Sequence, residues 1–182
     1  MLGHRVGGKT LGIVGFGRIG EAVALRARAF GLNILYNKRN RLPASLEEEL
    51  GVTFEPDLDR LVAKSDIITL HCPLSAETDK LMSRERIALM KRDGYLINSS
   101  RGELVDEDAL IEALSRGKIA GAGLDVYTHE PAVDSRFLNI PNVVLLPHLG
   151  SATFEGREAS GEKVIANIRI FSDGHRPPDQ VL

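Results

Sequence analysis

Six short apolar runs, each about as long as a β-strand, alternate along the chain with stretches of helical character. Most of these runs are nearly continuous in Val, Ile and Leu, as expected for strands that are buried on both faces of a parallel sheet. The predicted strands are residues 11–15, 33–36, 66–71, 94–98, 119–126 and 143–146. Their alternation with helices predicts an α/β fold with a doubly wound, mostly parallel sheet.

The spacing of apolar residues predicts helices at residues 18–30 and 106–116, and a final helix at about residues 152–171 precedes a polar tail whose paired prolines cannot continue it. The first two end next to Gly31 and Gly117, and glycine is common just after a helix because it accepts the left-handed conformation. The apolar stripes expected to face the sheet are Ile19, Val23, Ala27 and Phe30 in the first helix and Leu110, Ala113 and Leu114 in the second.

The composition excludes several classes of function. The 182 residues are 43% hydrophobic, which is enough to bury the core of one globular domain. The chain has 23 Lys and Arg against 25 Asp and Glu, so it has no general positive field for nucleic acid or an anionic membrane. Cys72 is the only cysteine, and no apolar run is long enough to span a bilayer. We therefore expect a soluble cytoplasmic protein that binds neither nucleic acid nor a membrane.

The first predicted strand runs directly into three glycines, in the sequence "LGIVGFGRIG". GxGxxG is a weak pattern alone, but here it follows a buried strand and opens a helix, which is the context of a dinucleotide-binding turn. In such a turn Gly15 permits the tight bend, Gly17 lets a diphosphate approach the backbone, and Gly20 lets helix and strand pack closely. The first helical turn, which includes Arg18 and Ile19, would supply amide donors and the positive end of the helix dipole.

The segment after the second predicted strand indicates which dinucleotide is bound. NAD-binding folds usually place an Asp or Glu there to accept hydrogen bonds from the adenosine ribose, but residues 22–46 contain no acidic residue. Lys38, Arg39 and Arg41 cluster there instead, in "YNKRNR". Because guanidinium groups bind phosphate through paired hydrogen bonds, this favours NADP(H), with NAD(H) as the second possibility. The alternative is that these residues form only a solvated basic loop.

Three polar residues lie just past the ends of predicted strands, where open α/β sheets bind their ligands: Arg101, Glu130 and His148. Hydride transfer to a 2-oxo acid needs a cation for the carboxylate or ketone oxygen, a proton donor, and a group that keeps that donor protonated. Arginine, histidine and a carboxylate suit these roles in that order. Each residue could equally be a surface charge or a structural histidine when taken alone.

The chain resembles the NAD-binding domain of the D-isomer-specific 2-hydroxyacid dehydrogenases, particularly the glyoxylate and hydroxypyruvate reductases. The segments "GKTLGIVGFGRIGEAVALRARAFGLNILYNKR", "SDIITLHCPLSAETDKLM", "GYLINSSRGELVDEDAL", "GAGLDVYTHEP" and "NVVLLPHLGSAT" occur in the family's order. The resemblance implies a Rossmann-type domain. It also implies that Arg101 binds substrate, that Glu130 orients the histidine, and that His148 is the acid/base.

The same resemblance implies further contacts with the cofactor. Asp125 would contact the nicotinamide carboxamide, and Thr78 would lie near the diphosphate. The other residues expected to border the cofactor are Cys72, Pro73, Ser99, Arg101, His148 and Gly150. His71 would have a packing or hydrogen-bonding role, Cys72 would not be a nucleophile, and no metal is expected.

In this family a flavodoxin-like substrate domain accompanies the cofactor domain. We therefore expect residues 1–172 to form the dinucleotide-binding domain and residues 173–182 to form a tail that would return to a substrate domain, whose N-terminal part is absent from this sequence. The resemblance also implies a homodimer through the cofactor domain. Without the substrate domain, we expect the chain to bind NADP(H) but to reduce small 2-oxo acids weakly or not at all.

Two other functions stay open at this point. The chain could be an NAD(P)-sensing binding protein, like the corepressors that resemble this family, or a phosphoglycerate dehydrogenase, although the usual acidic ribose ligand of the latter is missing. The sequence does not choose among glyoxylate, hydroxypyruvate and bulkier 2-oxo acids.

Overall fold

The computed structural model of the protein describes residues 4–180. The chain forms two compact units, of which the first ends at Pro147 and the second begins at His148. This division is not the boundary predicted above after residue 172. That boundary separates the cofactor domain from a tail toward a substrate domain, and it stays a prediction.

Within the described part of the first unit, seven parallel strands form one sheet in the order β3-β2-β1-β4-β5-β6-β7. The strands are β1 (Thr10–Val14), β2 (Asn33–Asn37), β3 (Val52–Phe54), β4 (Ile67–Leu70), β5 (Tyr95–Asn98), β6 (Gly121–Leu124) and β7 (Val143–Leu145). The strand order reverses between β1 and β4, and the carboxyl ends of strands at such a reversal form the ligand crevice of doubly wound folds. The predicted fold class is confirmed.

Five α-helices and two short 3₁₀ helices, Gly102–Leu104 and Phe137–Asn139, connect the strands of this unit within the described residues. The α-helices are α1 (Arg18–Ala29), α2 (Ala44–Leu50), α3 (Leu58–Lys64), α4 (Arg84–Ala88) and α5 (Glu107–Ser115). The sequence predicted α1, α5 and six of the strands to within a few residues, but not β3, α2, α3 or α4. These four elements are three to seven residues long, which is too short to show a strand or helix period clearly.

Two clusters of buried side chains pack the helices onto opposite faces of the sheet. Ile13 belongs to one cluster and its neighbour Val14 to the other, because successive residues of a strand point to opposite faces. Ala24 of α1 and Leu50 of α2 join the Ile13 cluster. Buried residues of α3, α4 and α5 join the Val14 cluster, among them Leu61, Ile87, Leu110, Ala113 and Leu114.

The apolar stripe predicted for α1 is wrong at its two ends but holds at Val23 and Ala27, which join or pack against the Ile13 cluster. The buried residues of this helix are Gly20, Ala24 and Ala27, whereas Ile19 and Phe30 are each 67% exposed. Small side chains face the sheet because the helix packs too closely on β1 to admit larger ones there. The stripe predicted for α5 is confirmed, since all three of its residues are buried.

The second unit contains one long helix, α6 (Phe154–Ser172), close to the predicted span. Its N-cap is Thr153, whose hydroxyl accepts a hydrogen bond from the amide of Gly156 at 3.0 Å. The carboxylate of Asp179 accepts hydrogen bonds from Lys163 at 2.8 Å and from Asn167 at 2.9 Å, so this part of the tail folds back along α6. Among residues 4–180, no helix combines the length and apolarity needed to cross a membrane.

Candidate nucleotide-binding and catalytic site

The glycine-rich turn after β1 lies against the end of β4, at the reversal in strand order. Gly15 has φ +88°, a conformation that favours glycine, and a Cβ atom on it would overlap the backbone nitrogen of Cys72. The amide of Gly15 also donates to the carbonyl of Asn37 at 2.9 Å. The turn is therefore fixed to the ends of both strands that flank β1.

The other two glycines of the turn have opposite surroundings. A Cβ atom on Gly20 would lie 2.5 Å from the carbonyl oxygen of Gly15 and 3.3 Å from Cγ2 of Ile13, so this glycine sets the close approach of α1 to β1. A Cβ atom on Gly17 would meet nothing within 4 Å. The turn is thus closed on its inner side and open at Gly17.

The N-terminus of α1 has amide groups available for an anion. Gly17 is the N-cap and supplies no side-chain hydrogen bond to the first turn, where Arg18 and Ile19 are exposed. The first amides of a helix have no intrahelical partner, and they carry the positive end of the helix dipole. An open backbone at Gly17 beside these donors fits the diphosphate of a dinucleotide.

The three basic residues after β2 do not have equivalent surroundings. The side chains of Lys38 and Arg39 make no hydrogen bond or ion pair with the residues the structure describes, and Arg39 is exposed. Arg41 binds both carboxylate oxygens of Glu47, through Nε at 2.9 Å and Nη2 at 2.7 Å. Of the three residues predicted to bind the phosphate, Arg41 thus already has a carboxylate partner, and their role as a set stays a prediction. The acidic residue lies at position 47, one residue beyond the acid-free segment.

The loop after β4 holds Cys72, Pro73 and Thr78. The hydroxyl of Thr78 donates to the carbonyl of Pro73 and accepts from the amide of Ser75, both at 2.7 Å, so this side chain shapes the loop. Cys72 is half-buried, and burial raises the pKa of its thiol, which keeps it protonated and a weak nucleophile. The Nε2 atom of His71 lies 2.9 Å from the hydroxyl of Thr69. Burial lowers the pKa of His71, which keeps the imidazole neutral.

Arg101 follows β5 in a turn organised by the buried side chain of Asn98. The Nδ2 of Asn98 donates to the carbonyl of Arg101 at 2.8 Å, and its Oδ1 accepts from the amide of Ser100 at 3.1 Å. The Ser100 hydroxyl donates to the carbonyl of Leu70, which links the turn to β4. Ser99 and the side chain of Arg101 are exposed. Sequence reasoning missed Asn98, although a polar residue closing an apolar strand was a usable signal.

The loop after β6 packs on the Arg101 turn. A Cβ atom on Gly102 would overlap the backbone of Tyr127 and Thr128, so the two chain segments are in direct backbone contact. Glu130 accepts a hydrogen bond from the amide of Tyr127 at 3.0 Å. Asp125 is buried, and its amide donates to the carbonyl of Asn98 at 2.9 Å. The structure thus brings the backbone segments that carry Arg101, Asp125 and Glu130 to one edge of the sheet.

His148 and Gly150 belong to the second unit and are described within it. His148 has φ +55°, which is uncommon for a residue other than glycine, and such strained positions cluster at functional sites. The carbonyl of Leu149 accepts a hydrogen bond from the amide of Ala152 at 2.9 Å, just before the N-cap of α6. Among the described residues, no three His, Cys, Asp or Glu side chains are grouped so that they could hold a metal ion.

Comparison with known proteins identifies the family. Residues 1–150 match the model of the D-isomer-specific 2-hydroxyacid dehydrogenase NAD-binding domain. The glyoxylate reductase of Thermococcus onnurineus is 49% identical over 99% of this chain, which covers 53% of that protein. The chain therefore spans about half the length of the curated relatives it matches.

Solved structures agree with this comparison. The TT0316 protein of Thermus thermophilus superposes with a TM-score of 0.91 at 43% identity, over 100% of this chain and 56% of that one. Another match is the NADPH-dependent glyoxylate/hydroxypyruvate reductase of Sinorhizobium meliloti in complex with citrate. It superposes with a TM-score of 0.85 at 40% identity, over 93% of this chain and 52% of that one. The chain belongs to the D-isomer-specific 2-hydroxyacid dehydrogenases and contains their Rossmann-type NAD-binding domain.

Proposed function

We propose that this chain is the cofactor-binding part of an oxidoreductase that transfers a hydride between NADP(H) and a small 2-oxo or 2-hydroxy acid, with glyoxylate and hydroxypyruvate as the first candidates. One observation carries the proposal. In a chain of this family, the turn that holds Arg101 and the loop that holds Glu130 lie against each other at the carboxyl edge of the sheet, the edge that also carries the open glycine turn.

Reduction of a 2-oxo acid adds a hydride to the carbonyl carbon and a proton to its oxygen. A bound nicotinamide would supply the hydride. In our proposal the Arg101 guanidinium holds the carboxylate or the carbonyl oxygen through paired donors, and His148 gives the proton to that oxygen. The family resemblance gives Glu130 the role of favouring the protonated imidazole, which a carboxylate hydrogen-bonded to imidazolium would do. Asp125 would hold the carboxamide of the nicotinamide, and the same residues would work in reverse for oxidation.

The preference for NADP(H) over NAD(H) is also a proposal, supported by the surroundings of Lys38 and Arg39. Both side chains are available to a ligand, and no carboxylate lies in the chain between residues 22 and 46. Arg39 has a weak electrostatic effect on Glu77, whose pKa is lowered first by a hydrogen bond from Ser75 and to a smaller extent by Arg39.

A cytoplasmic homodimer that uses the cofactor domain as its contact belongs to the same proposal, on the strength of the family resemblance. The proposed domain organisation rests on the same resemblance. Residues 1–172 form the cofactor domain, and residues 173–182 form a tail toward a substrate domain.

Turnover by the complete gene product tests the reaction. NADPH oxidation is followed over a range of glyoxylate and hydroxypyruvate concentrations for the wild type, Arg101→Met and His148→Asn, with His129→Asn as the matched control for an exposed histidine. We expect both site variants to lose at least 100-fold in kcat/KM and the control to stay within about twofold. Binding of NADPH without turnover of any 2-oxo acid would contradict the proposed enzyme activity and favour an NAD(P)-sensing binding protein.

Nucleotide preference is tested by fluorescence titration of the wild type and Arg39→Ala with NADPH and NADH. The matched control is Arg92→Ala, an exposed arginine just before β5 and thus at the opposite edge of the sheet. We expect the wild type to bind NADPH more tightly and Arg39→Ala to lose most of that difference. Equal affinity of the wild type for the two nucleotides would contradict the preference.

A further inference from the structure

A buried hydrogen-bonded network closes the loop between β2 and α2. Tyr36 is fully buried near the end of β2, and its hydroxyl donates to Oε1 of Glu47 at 2.5 Å. The same hydroxyl accepts a hydrogen bond from the amide of Leu42 at 2.9 Å. The Glu47 carboxylate also receives the two hydrogen bonds of Arg41. The Glu47 side chain of α2 thus holds the last part of the loop through its hydrogen bonds with Tyr36 and Arg41.

The guanidinium of Arg41 is restrained on a second side. Its Cζ atom lies 5.8 Å from the centre of the Phe54 ring, close enough for a cation–π contact with β3. Phe54 in turn packs against Tyr36, with ring centres 5.3 Å apart. Arg41 is therefore held by α2 and by the edge of the sheet at once.

The beginning of the loop is fixed independently. Asn37 donates from Nδ2 to the carbonyls of Glu55 at 2.9 Å and Pro56 at 3.1 Å, and its own carbonyl accepts from Gly15. The segment 38–40 therefore lies between two anchors, one that includes the glycine turn and one formed by Glu47. Lys38 and Arg39 belong to this segment.

It is unfavourable for the Arg41 guanidinium to leave the Glu47 carboxylate and bind a ligand phosphate instead. Glu47 is only 8% exposed, and removal of Arg41 would leave a buried carboxylate with Tyr36 as its remaining side-chain donor. A buried charge that loses its partner is strongly destabilising. The bidentate geometry of the pair adds to this cost, since two parallel hydrogen bonds would break together.

We infer that Glu47 is a positioning residue for nucleotide selectivity: it holds Arg41 and Tyr36 so that the segment 38–40 presents Lys38 and Arg39 to the 2′-phosphate of NADP(H). Arg41 then acts through Glu47 and not as a phosphate ligand. This inference rests on the proposed function, because it concerns the nucleotide that the dehydrogenase selects.

A double-mutant cycle distinguishes this indirect role from direct binding. NADPH and NADH are titrated into the wild type, Glu47→Gln, Arg41→Gln and the double variant, with Glu48→Gln as the control for an exposed glutamate of the same helix. We expect each single variant to lower the NADPH/NADH affinity ratio by roughly 3- to 10-fold. The double variant should lose no more than either single one, and Glu48→Gln should match the wild type.

Two results would overturn the inference while leaving the NADP preference intact. In the first, Arg41→Gln lowers the affinity ratio but Glu47→Gln preserves or raises it, as expected if Arg41 binds phosphate directly. In the second, Glu47→Gln weakens both nucleotides equally, as expected of a purely structural role. A wild type that binds the two nucleotides equally would instead contradict the proposed preference itself.

Tyr36→Phe provides a milder variant in case loss of the charge pair impairs folding. It removes the hydroxyl that joins Glu47 to the amide of Leu42 and keeps the Arg41 pair. We expect a smaller fall in the affinity ratio at an unchanged NADH affinity. An unchanged ratio in a folded Tyr36→Phe protein would contradict the role of the network.

Discussion

Gly102 lies so close to the backbone of Tyr127 that a Cβ atom on Gly102 would overlap the carbonyl carbon of Tyr127. Gly102 directly follows Arg101, and the backbone amide of Tyr127 donates a hydrogen bond to the Glu130 carboxylate. Two side chains separated by 29 positions along the chain are thus carried by segments in direct backbone contact. The position of one predicted catalytic side chain depends on the position of the other through this contact.

Replacement of Gly102 by alanine should therefore disturb both segments. The obstructing atoms belong to backbone and not to a flexible side chain, so they cannot move aside independently. We expect Gly102→Ala to lower the free energy of unfolding by about 3 kcal/mol or more, measured by urea denaturation. The control is Gly123→Ala in β6, where a Cβ atom would meet only the tip of Ile97 at 3.2 Å. Equal stability losses in the two variants would contradict the contact.

The glycine turn gives a matched pair of variants that separate folding from binding. Gly17→Ala adds a methyl group where nothing lies within 4 Å, so its unfolding midpoint should stay near the wild type. We expect the same methyl group to lower NADPH affinity at least tenfold, because it occupies the space the diphosphate needs. Gly20→Ala should lower stability by about 1–3 kcal/mol, because the added carbon would press on Gly15. If Gly17→Ala binds NADPH as tightly as the wild type does, the diphosphate is not held at this turn.

The sequence predicted the parts of this fold and site that depend on residue type along one element. The buried strands, the glycine turn and the α5 stripe all follow from such local patterns. The pairing of Arg41 with Glu47 does not follow from such a pattern, because Glu47 lies on a separate element, α2. The α1 stripe is wrong at Ile19 and Phe30 for a different reason, since the close packing fixed by Gly20 favours small residues against the sheet.

The short elements were hidden for a different reason. The helix α3 is seven residues long and is started by the carboxylate of Asp57, which accepts hydrogen bonds from the amides of Asp59 and Arg60. A cap of this kind indicates where a helix begins, but two turns are too few to establish a period. Asn98 was missed because its two hydrogen bonds are made to backbone, which a search for charged side chains does not detect.

Acid stability should depend on Glu47. Hydrogen bonds from Arg41 and then Tyr36 lower the pKa of its carboxyl from 4.5 to about 2. A carboxyl whose pKa is lower in the folded state stabilises that state above its unfolded pKa and loses the effect as pH falls through its folded pKa. We therefore expect the thermal midpoint of the wild type to fall between pH 4.5 and pH 2, and Glu47→Gln to show a smaller fall in that window.

Other acidic groups titrate in the same window, so a second variant is needed for comparison. The pKa of Asp134 is also lowered to about 2 by hydrogen bonds from the side chain and amide of Arg136, at the surface. Asp134→Asn should reduce the pH dependence less than Glu47→Gln does, because surface ion pairs contribute little. An identical pH profile for Glu47→Gln and the wild type would show that the pair with Arg41 does not form in solution.

Asn98 should control how Arg101 is presented to the substrate. Aspartate at this position would direct a carboxylate oxygen at the carbonyl of Arg101, where the amide now donates a hydrogen bond. We expect Asn98→Asp to lower the free energy of unfolding by about 1–3 kcal/mol, the cost of an unsatisfied buried polar group. In the complete gene product the KM for the 2-oxo acid should rise while NADPH affinity changes little, since the glycine turn is unaffected.

The matched control for this effect is Asn142→Asp. Asn142 also donates from its side chain to a backbone carbonyl, that of Ala120 at 3.1 Å, but it lies just before β7 and thus at the opposite edge of the sheet. Its variant should lose stability without a change in KM, because Arg101 keeps its place. If KM rises equally in both variants, the effect comes from lower stability of the whole fold and not from the turn that holds Arg101.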